Sequence, residues 1–362
     1  MPTVPRRPLP AKPDVAGDES ISAGAPGDES ASENRSRDEP LRVGVLPVTS
    51  MVARLAVLPA LAVSPAVAVV AVASRSADRT EHSERGVPGS AAWHRDYAAL
   101  VSDPAGEAVY CALPNALHLP WVTAALEAGK HVLCEKPLGL DEATVTQLSD
   151  LARERHLVLQ EAYMAAFHPL ASAVPEIAAE ELGELRELRS VFGFPLDAAN
   201  HRWEPALGGG ALADVGIYCV EPLLRLAGAE PTDVTALDRR SAPGAVDGTF
   251  LGALRFESGI LATIECSFET PERQELEIVG TEGTLRCDHP FTAGAGSSTV
   301  VLTDATGRVR ERDVAGADPY QVMVEAFARA VRTGTETRYP LASTARVARV
   351  LDRLRRAADD LR

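Results

Sequence analysis

Residues 41–74 read LRVGVLPVTSMVARLAVLPALAVSPAVAVVAVAS. The fold turns on whether this stretch is two buried strands around a helix or a single membrane span. RVGVL and AVAVVAVA are short valine-rich runs, the composition of strands covered on both faces. Leu55–Ala73 is 19 residues long and apolar apart from Ser64 and two prolines, close to the ~20 residues a spanning helix needs. Pro65 divides it, however, into a helix-like half and a strand-like half, so the membrane reading is rejected. The N-terminus has no signal-peptide core either.

Outward from this stretch the alternation continues. EAVYCAL, KHVLCEK and LVLQEAY read as further buried strands, with helices expected over His118–Ala128 and Asp141–Arg155, the latter capped by Asp141. Strands alternating with helices predict a doubly wound parallel sheet, a Rossmann-like fold. After about Tyr163 the rhythm changes. A helix over His168–Glu181 precedes ELRSVFGF, TFLGALRFE, GILATIECSFE, QELEIVG, GTLRCD and STVVLTD, which read as a large open, mostly antiparallel sheet. Helices are expected over Ala211–Leu226, Tyr320–Arg332 and Ala342–Leu361. The class is therefore α/β, with a Rossmann-like domain followed by an α+β domain. The expected divisions are a disordered tail over 1–40, a dinucleotide-binding domain over 41–162, an α+β domain for substrate and oligomerisation over 163–340, and a C-terminal helix over 341–362 packed back on the body. The tail is rich in Pro, Ser, Gly and acids, and carries GDES twice, at Gly17–Ser20 and Gly27–Ser30.

The chain has 362 residues and a net charge of −15, which argues against nucleic acid and anionic membranes as partners. Its five cysteines are scattered without a metal-binding pattern, as in a protein of the reducing cytoplasm with no zinc site.

Four places can carry chemistry. The loop Pro47-Val48-Thr49-Ser50-Met51 follows the first strand, where dinucleotide folds place a glycine turn for the pyrophosphate. Here it has no glycine. Thr49, Ser50 and Met51 can still offer amides and hydroxyls at a helix start, although Pro47 lacks an N–H and Val48 adds bulk. Taken alone, this loop also fits an ordinary strand-to-helix connection. Ser74-Arg75 follows the second strand. An arginine there, with no acid before Asp78, suits the 2′-phosphate of NADP, although a solvated arginine at a strand end has the same sequence. Glu135-Lys136-Pro137 ends a strand at the ligand rim; Lys136 there can approach a carbonyl, while a surface Glu-Lys pair is the plainer alternative. LGGGALADVGIYCV, Leu207–Val220, puts three glycines before a helix on which Asp214 and Tyr218 share a face. Tyr218 beside a lysine suits a proton donor, its phenol acidified by the ammonium. Its alternative is a core tyrosine on a packing helix.

Taken in order, LPNALH (Leu113–His118), EKP (Glu135–Pro137), EAYMAAFHP (Glu161–Pro169) and GGGALADVGIYCV (Gly208–Val220) resemble the Gfo/Idh/MocA oxidoreductases, over about Leu41 to the C-terminus. Tyr218 in DVGIY is most similar to the glucose-fructose oxidoreductase, dihydrodiol dehydrogenase and nucleotide-sugar 3-ketoreductase branches. The resemblance implies a nicotinamide-dependent oxidoreductase that moves a hydride to or from a sugar, sugar nucleotide or cyclic polyol, and Ser74-Arg75 fits its NADP-using members, so NADP(H) is expected over NAD(H). It implies Lys136 and Tyr218 as the catalytic pair, with Asp214 orienting Lys136 or the substrate. Leu113, Pro114, Asn115, His118, Glu135 and Arg202 are implied around the cofactor, with Trp203 beside Arg202 in a closing loop. The family usually carries GxG or GxA where this chain has Pro47–Thr49. That departure keeps open an alternative, a non-catalytic dinucleotide- or sugar-binding protein of the same fold. Homodimerisation or homotetramerisation through the open sheet is expected, since an uncovered sheet needs cover.

Overall fold

The computed structural model describes residues 39–74 and 86–361. Of the expected tail, only Glu39 and Pro40 fall inside that range, and Arg75 lies outside it. The two valine-rich runs are β1 (Leu41–Leu46) and β2 (Val67–Ala73), adjacent and parallel. Between them the chain is helical over 51–63, so Leu55–Ala73 is a helix, a turn and a strand. No helix among the described residues is long and apolar enough to cross a membrane. The helical run is not uniform: Ala53–Val57 has π geometry and Leu58–Val63 (α1) is α-helical. Pro59 supplies a reason. It has no N–H to donate and its ring crowds the carbonyl four residues back, and a wider turn just before it relieves both.

β3 (Ala92–His94), α2 (Tyr97–Val101), β4 (Ala108–Cys111), α3 (His118–Glu127), β5 (His131–Glu135), α4 (Glu142–Glu154) and β6 (Leu159–Ala162) complete the first half. The strand order is β3-β2-β1-β4-β5-β6, with every neighbouring pair parallel. Asp141 caps α4, its carboxylate accepting from Thr144 N at 2.7 Å. The strand order reverses between β1 and β4, and such sheets bind ligands in the crevice beyond the strand ends at this switch.

α5 (Leu170–Glu181) leads into a second sheet built from β7 (Leu185–Gly193), then, after α6 (Ala211–Ala227), from β8 (Asp233–Arg240), β9 (Asp247–Arg255), β10 (Leu261–Ser267), β11 (Arg273–Gly280), β12 (Gly283–Asp288), β13 (Ser298–Asp304) and β14 (Val309–Val314). Its order is β14-β13-β12-β11-β7-β10-β9-β8, antiparallel except for β7 with β10. α6 lies on this sheet against β7, β9 and β10. α7 (Pro319–Thr333) returns to pack on α1 and β2, and α8 (Leu341–Asp359) packs on α4, α6 and β8. Gly216 permits the α6–α8 contact: a Cβ there would stand 2.7 Å from Leu351 Cδ2. One apolar core runs from β1 through Tyr163 and Phe167 to Leu354 without a break at residue 163.

Candidate active site

A cavity of about 650 Å³ opens at the switch point, between the ends of β1, β4 and β5 and the face of α6. The chain reaches it first after β1. Pro47, Thr49, Ser50 and Met51 line it. Val48 turns inward instead: it is fully buried, and its amide donates to Ala73 O at 2.9 Å. The bulk that the sequence suggested would crowd a ligand is therefore part of the core. The first intrahelical bond runs from Arg54 N to Ser50 O at 2.9 Å, which leaves the amides of residues 51–53 without intrahelical partners. Among the described residues no side chain accepts from these amides. A glycine-free loop thus still ends in an uncapped helix start beside a cavity, the arrangement that binds phosphate.

The segments after β4 and β5 meet at the opposite wall. Leu113, Pro114, Asn115, Glu135 and Lys136 line the cavity. Asn115 Nδ2 donates to Gly208 O at 2.9 Å, tying this wall to the glycine run. His118 does not line it. Fully buried, its Nδ1 lies 2.8 Å from Pro137 O and its Nε2 2.7 Å from Leu113 O, so it braces two cavity segments from behind. Ser74 is also buried, its amide donating to His94 O at 3.0 Å, and it is not on the cavity wall. Glu135 accepts from Tyr110 Oη at 2.7 Å, and burial pushes its carboxyl up.

Glu161 supports the turn after Lys136. It is 2 % exposed on β6, and its Oε1 accepts from Leu138 N at 2.8 Å. Burial pushes its carboxyl up to about 7, against the pull of that bond. A raised carboxyl pKa gives stability that is complete below the unfolded value near 4.5 and lost as pH rises through the folded value. Glu161→Gln keeps an acceptor oxygen but cannot ionise. It is expected to remove ~3 kcal/mol of the stability lost between about pH 4 and pH 8, measured by urea unfolding at both. An undiminished decline in the variant would contradict this account.

The glycine run is shaped by neighbouring protein. Gly208 and Gly210 have φ of +73° and +118°. A Cβ on Gly209 would lie 2.1 Å from Arg202 O, and one on Gly210 would lie 2.4 Å from Asp247 Oδ1. Gly210 cannot cap α6 with a side chain, and Asp247 of β9 does so instead, its Oδ2 accepting from Leu212 N at 2.7 Å.

On the first turns of α6, Asp214 and Tyr218 face the cavity together. Lys136 Nζ donates to Asp214 Oδ1 and to Asp214 O, both at 2.7 Å. Arg202 Nε lies 3.2 Å from Asp214 Oδ2. Burial disfavours the Asp214 carboxylate, but Lys136 and Arg202 more than offset it and hold the pKa below the usual range. Lys136 Nζ stands over the Tyr218 ring, 5.2 Å from its centroid. Tyr218 is boxed by Tyr163 at 5.3 Å, Phe192 at 5.2 Å and Phe291 at 6.0 Å. Its hydroxyl is raised well above its ordinary pKa, because burial, then Tyr320 and Glu135, disfavours the phenolate. This reverses the acidification expected from a neighbouring lysine: the lysine's charge is spent on Asp214, and the aromatic box desolvates the phenol.

His201 and Thr292 also line the cavity, as do Phe192, Met164 and Tyr320, which were not read as site residues from sequence. Phe192 and Phe194 are separated by one residue in SVFGF, a spacing that puts both on one face of an extended segment. Tyr320 enters from α7, far away in the chain, and nothing local in the sequence marks it.

Two family models match the chain. One, described as an oxidoreductase family with an NAD-binding Rossmann fold, covers residues 41–163. The other, the GFO/IDH/MocA C-terminal domain, covers residues 174–286. D-xylose 1-dehydrogenase (NADP(+)) 2 of Haloferax volcanii is 36 % identical over 293 residues, 80 % of this chain and 89 % of that protein. A dTDP-3,4-didehydro-2,6-dideoxy-alpha-D-glucose 3-reductase of Actinomadura kijaniata is 33 % identical over 333 residues, 91 % of this chain and 99 % of that one. The crystal structure of a 3-ketoreductase from Actinomadura kijaniata, in complex with NADP and TDP-benzene, superposes with a TM-score of 0.83 at 31 % identity, covering 88 % of this chain and 98 % of that one.

Proposed function

The chain belongs to the Gfo/Idh/MocA oxidoreductase family, and from that premise we propose that it is an NADP(H)-dependent oxidoreductase acting at a carbonyl or hydroxyl carbon of a sugar-like compound. The observation that carries the reading is the Lys136–Asp214–Tyr218 cluster beside an uncapped helix start in one cavity. On this reading 41–162 holds the cofactor and 163–340 carries the substrate.

The residues present fit a nicotinamide dinucleotide. Thr49, Ser50 and Met51 with the amides of the first helical turn would hold its phosphates, and Leu113, Pro114, Asn115 and Glu135 would line its nicotinamide end. When bound, it supplies or accepts the hydride. Reduction of a carbonyl also needs one proton at oxygen. Tyr218, kept protonated by burial, gives that proton, and in the oxidative direction it takes the proton back. Lys136 turns its remaining N–H to the same oxygen, its position fixed by two bonds to Asp214, which Arg202 also holds. Positioned acid–base catalysis of this kind contributes about 10²–10⁴-fold.

Preference for NADP(H) is supported by the names of the relatives and by Arg75 in the sequence. Titration of the purified protein should give an NADPH affinity at least about tenfold above that for NADH, ~1.4 kcal/mol, a margin that Arg75→Ala removes. Binding of neither nucleotide would sink the proposal and favour the non-catalytic alternative. We further infer a cytoplasmic homo-oligomer. Five free thiols, all buried, suit a reducing compartment. Leu237, Leu251 and Leu261 are exposed on neighbouring strands of the second sheet, which suits a covering partner copy. Elution of a monomer on gel filtration would remove the oligomer.

A further inference from the structure

We infer that the substrate is a small uncharged polyhydroxy compound, a free sugar or a cyclic diol, and not a sugar joined to a nucleoside diphosphate. The inference rests on the reading above, in which Lys136 and Tyr218 mark the reacting carbon.

Three helix starts adjoin the cavity, and they differ. The one at residues 51–53 is uncapped among the described residues. At the start of α6, Asp247 Oδ2 takes the Leu212 amide at 2.7 Å, and both line a neighbouring pocket rather than this cavity, so that amide is turned away from it. At the start of α7, Asp318 Oδ1 takes the Tyr320 and Gln321 amides at 2.9 and 3.2 Å. A helix start attracts anions through free amides and its positive dipole end. A carboxylate already seated there uses those amides and repels a second anion at close range. Phosphate is therefore welcome on the cofactor side, is disfavoured at the α7 start, where Tyr320 lines the cavity, and finds the Leu212 amide of α6 turned to a neighbouring pocket.

The side chains agree. Among the described lining residues, Lys136 and Arg202 are the only lysines or arginines, and both are engaged by Asp214. Burial and the charge on Arg202 hold the His201 imidazole below its ordinary pKa. The wall beside Tyr218 is aromatic: Phe192 stacks on Phe291 at 5.6 Å, and Phe194 packs on Phe268 at 5.5 Å. Such a wall takes the apolar face of a ring compound. Thr292 Oγ1 accepts from Gln274 Nε2 at 2.7 Å, which leaves its hydroxyl a donor for a ligand oxygen.

The test uses the full chain saturated with NADPH and titrated calorimetrically with dTDP and with dTDP-glucose. In parallel, the protein with NADP⁺ is assayed against D-xylose, D-glucose and trans-cyclohexane-1,2-diol. No saturable heat from either nucleotide at millimolar concentration is expected, together with NADP⁺ reduction by an uncharged compound. Micromolar binding of dTDP to the NADPH-loaded protein overturns the inference alone, as does turnover confined to the nucleotide sugar. Failure of NADPH to bind in the first step overturns the cofactor reading, and this inference with it.

Discussion

Tyr218→Phe is expected to lower kcat by about 10²–10⁴-fold while leaving NADPH affinity and thermal stability close to those of the parent. The three readouts separate because the hydroxyl and the ring do different work. The ring meets Tyr163, Phe192 and Phe291, and phenylalanine keeps all three contacts. The hydroxyl lies 3.8 Å from Met164 Sδ, a weak acceptor. Removing a poorly satisfied buried hydroxyl costs little stability, since no strong partner is orphaned. The same weak satisfaction suits a group whose real partner is a substrate oxygen. Steady-state kinetics with a thermal melt decide the matter. An unchanged kcat would move the proton-transfer role from Tyr218 to Lys136, and a large fall in melting temperature would make Tyr218 a core residue first.

The sequence makes the centre of each half legible and loses its edges. Buried strands of the first sheet announce themselves as valine-rich runs, because both faces are covered. β3, β8 and β14 are three of the four sheet edges and none was read from the sequence, whereas the fourth, β6, is buried at every position and was. VRERDV of β14 is exposed at every position but its last, the charged character that guards edges against pairing and hides them from an alternation test. β3 has three residues and α2 five, too few to show a period. For the site, the order of motifs placed Lys136, Asp214 and Tyr218 near one another, yet two properties were out of reach. Whether Val48 blocks the loop depends on which way it turns, and it turns into the core. The shift on Tyr218 depends on burial and on Tyr320, a neighbour about a hundred residues distant in sequence. The glycine run was legible as a close approach, but the body being approached is the protein itself, through Arg202 and Asp247.

Asp214→Ala is expected to cost about 3–5 kcal/mol of stability. Lys136 and Asp214 side chains are 11 % and 9 % exposed, so the pair sits where water cannot stand in for a missing partner. The alanine variant leaves Lys136 with the main-chain carbonyl of residue 214 and no counter-charge, and it releases Arg202 as well. An isolated buried ammonium is far costlier than the intact pair is beneficial. Activity should fall with stability, since the ammonium that fixes the substrate oxygen loses its anchor. Asp214→Asn separates geometry from charge: it retains an acceptor for Lys136 Nζ but no negative charge, and its loss should fall between those of the parent and the alanine variant. Urea unfolding of the three proteins, with kcat for each, orders them. If alanine cost less than about 1 kcal/mol, the value of an exposed ion pair, Lys136 would have to reach solvent in the variant. The cluster would then be a surface pair, and the basis for placing the chemistry at Lys136 would be gone.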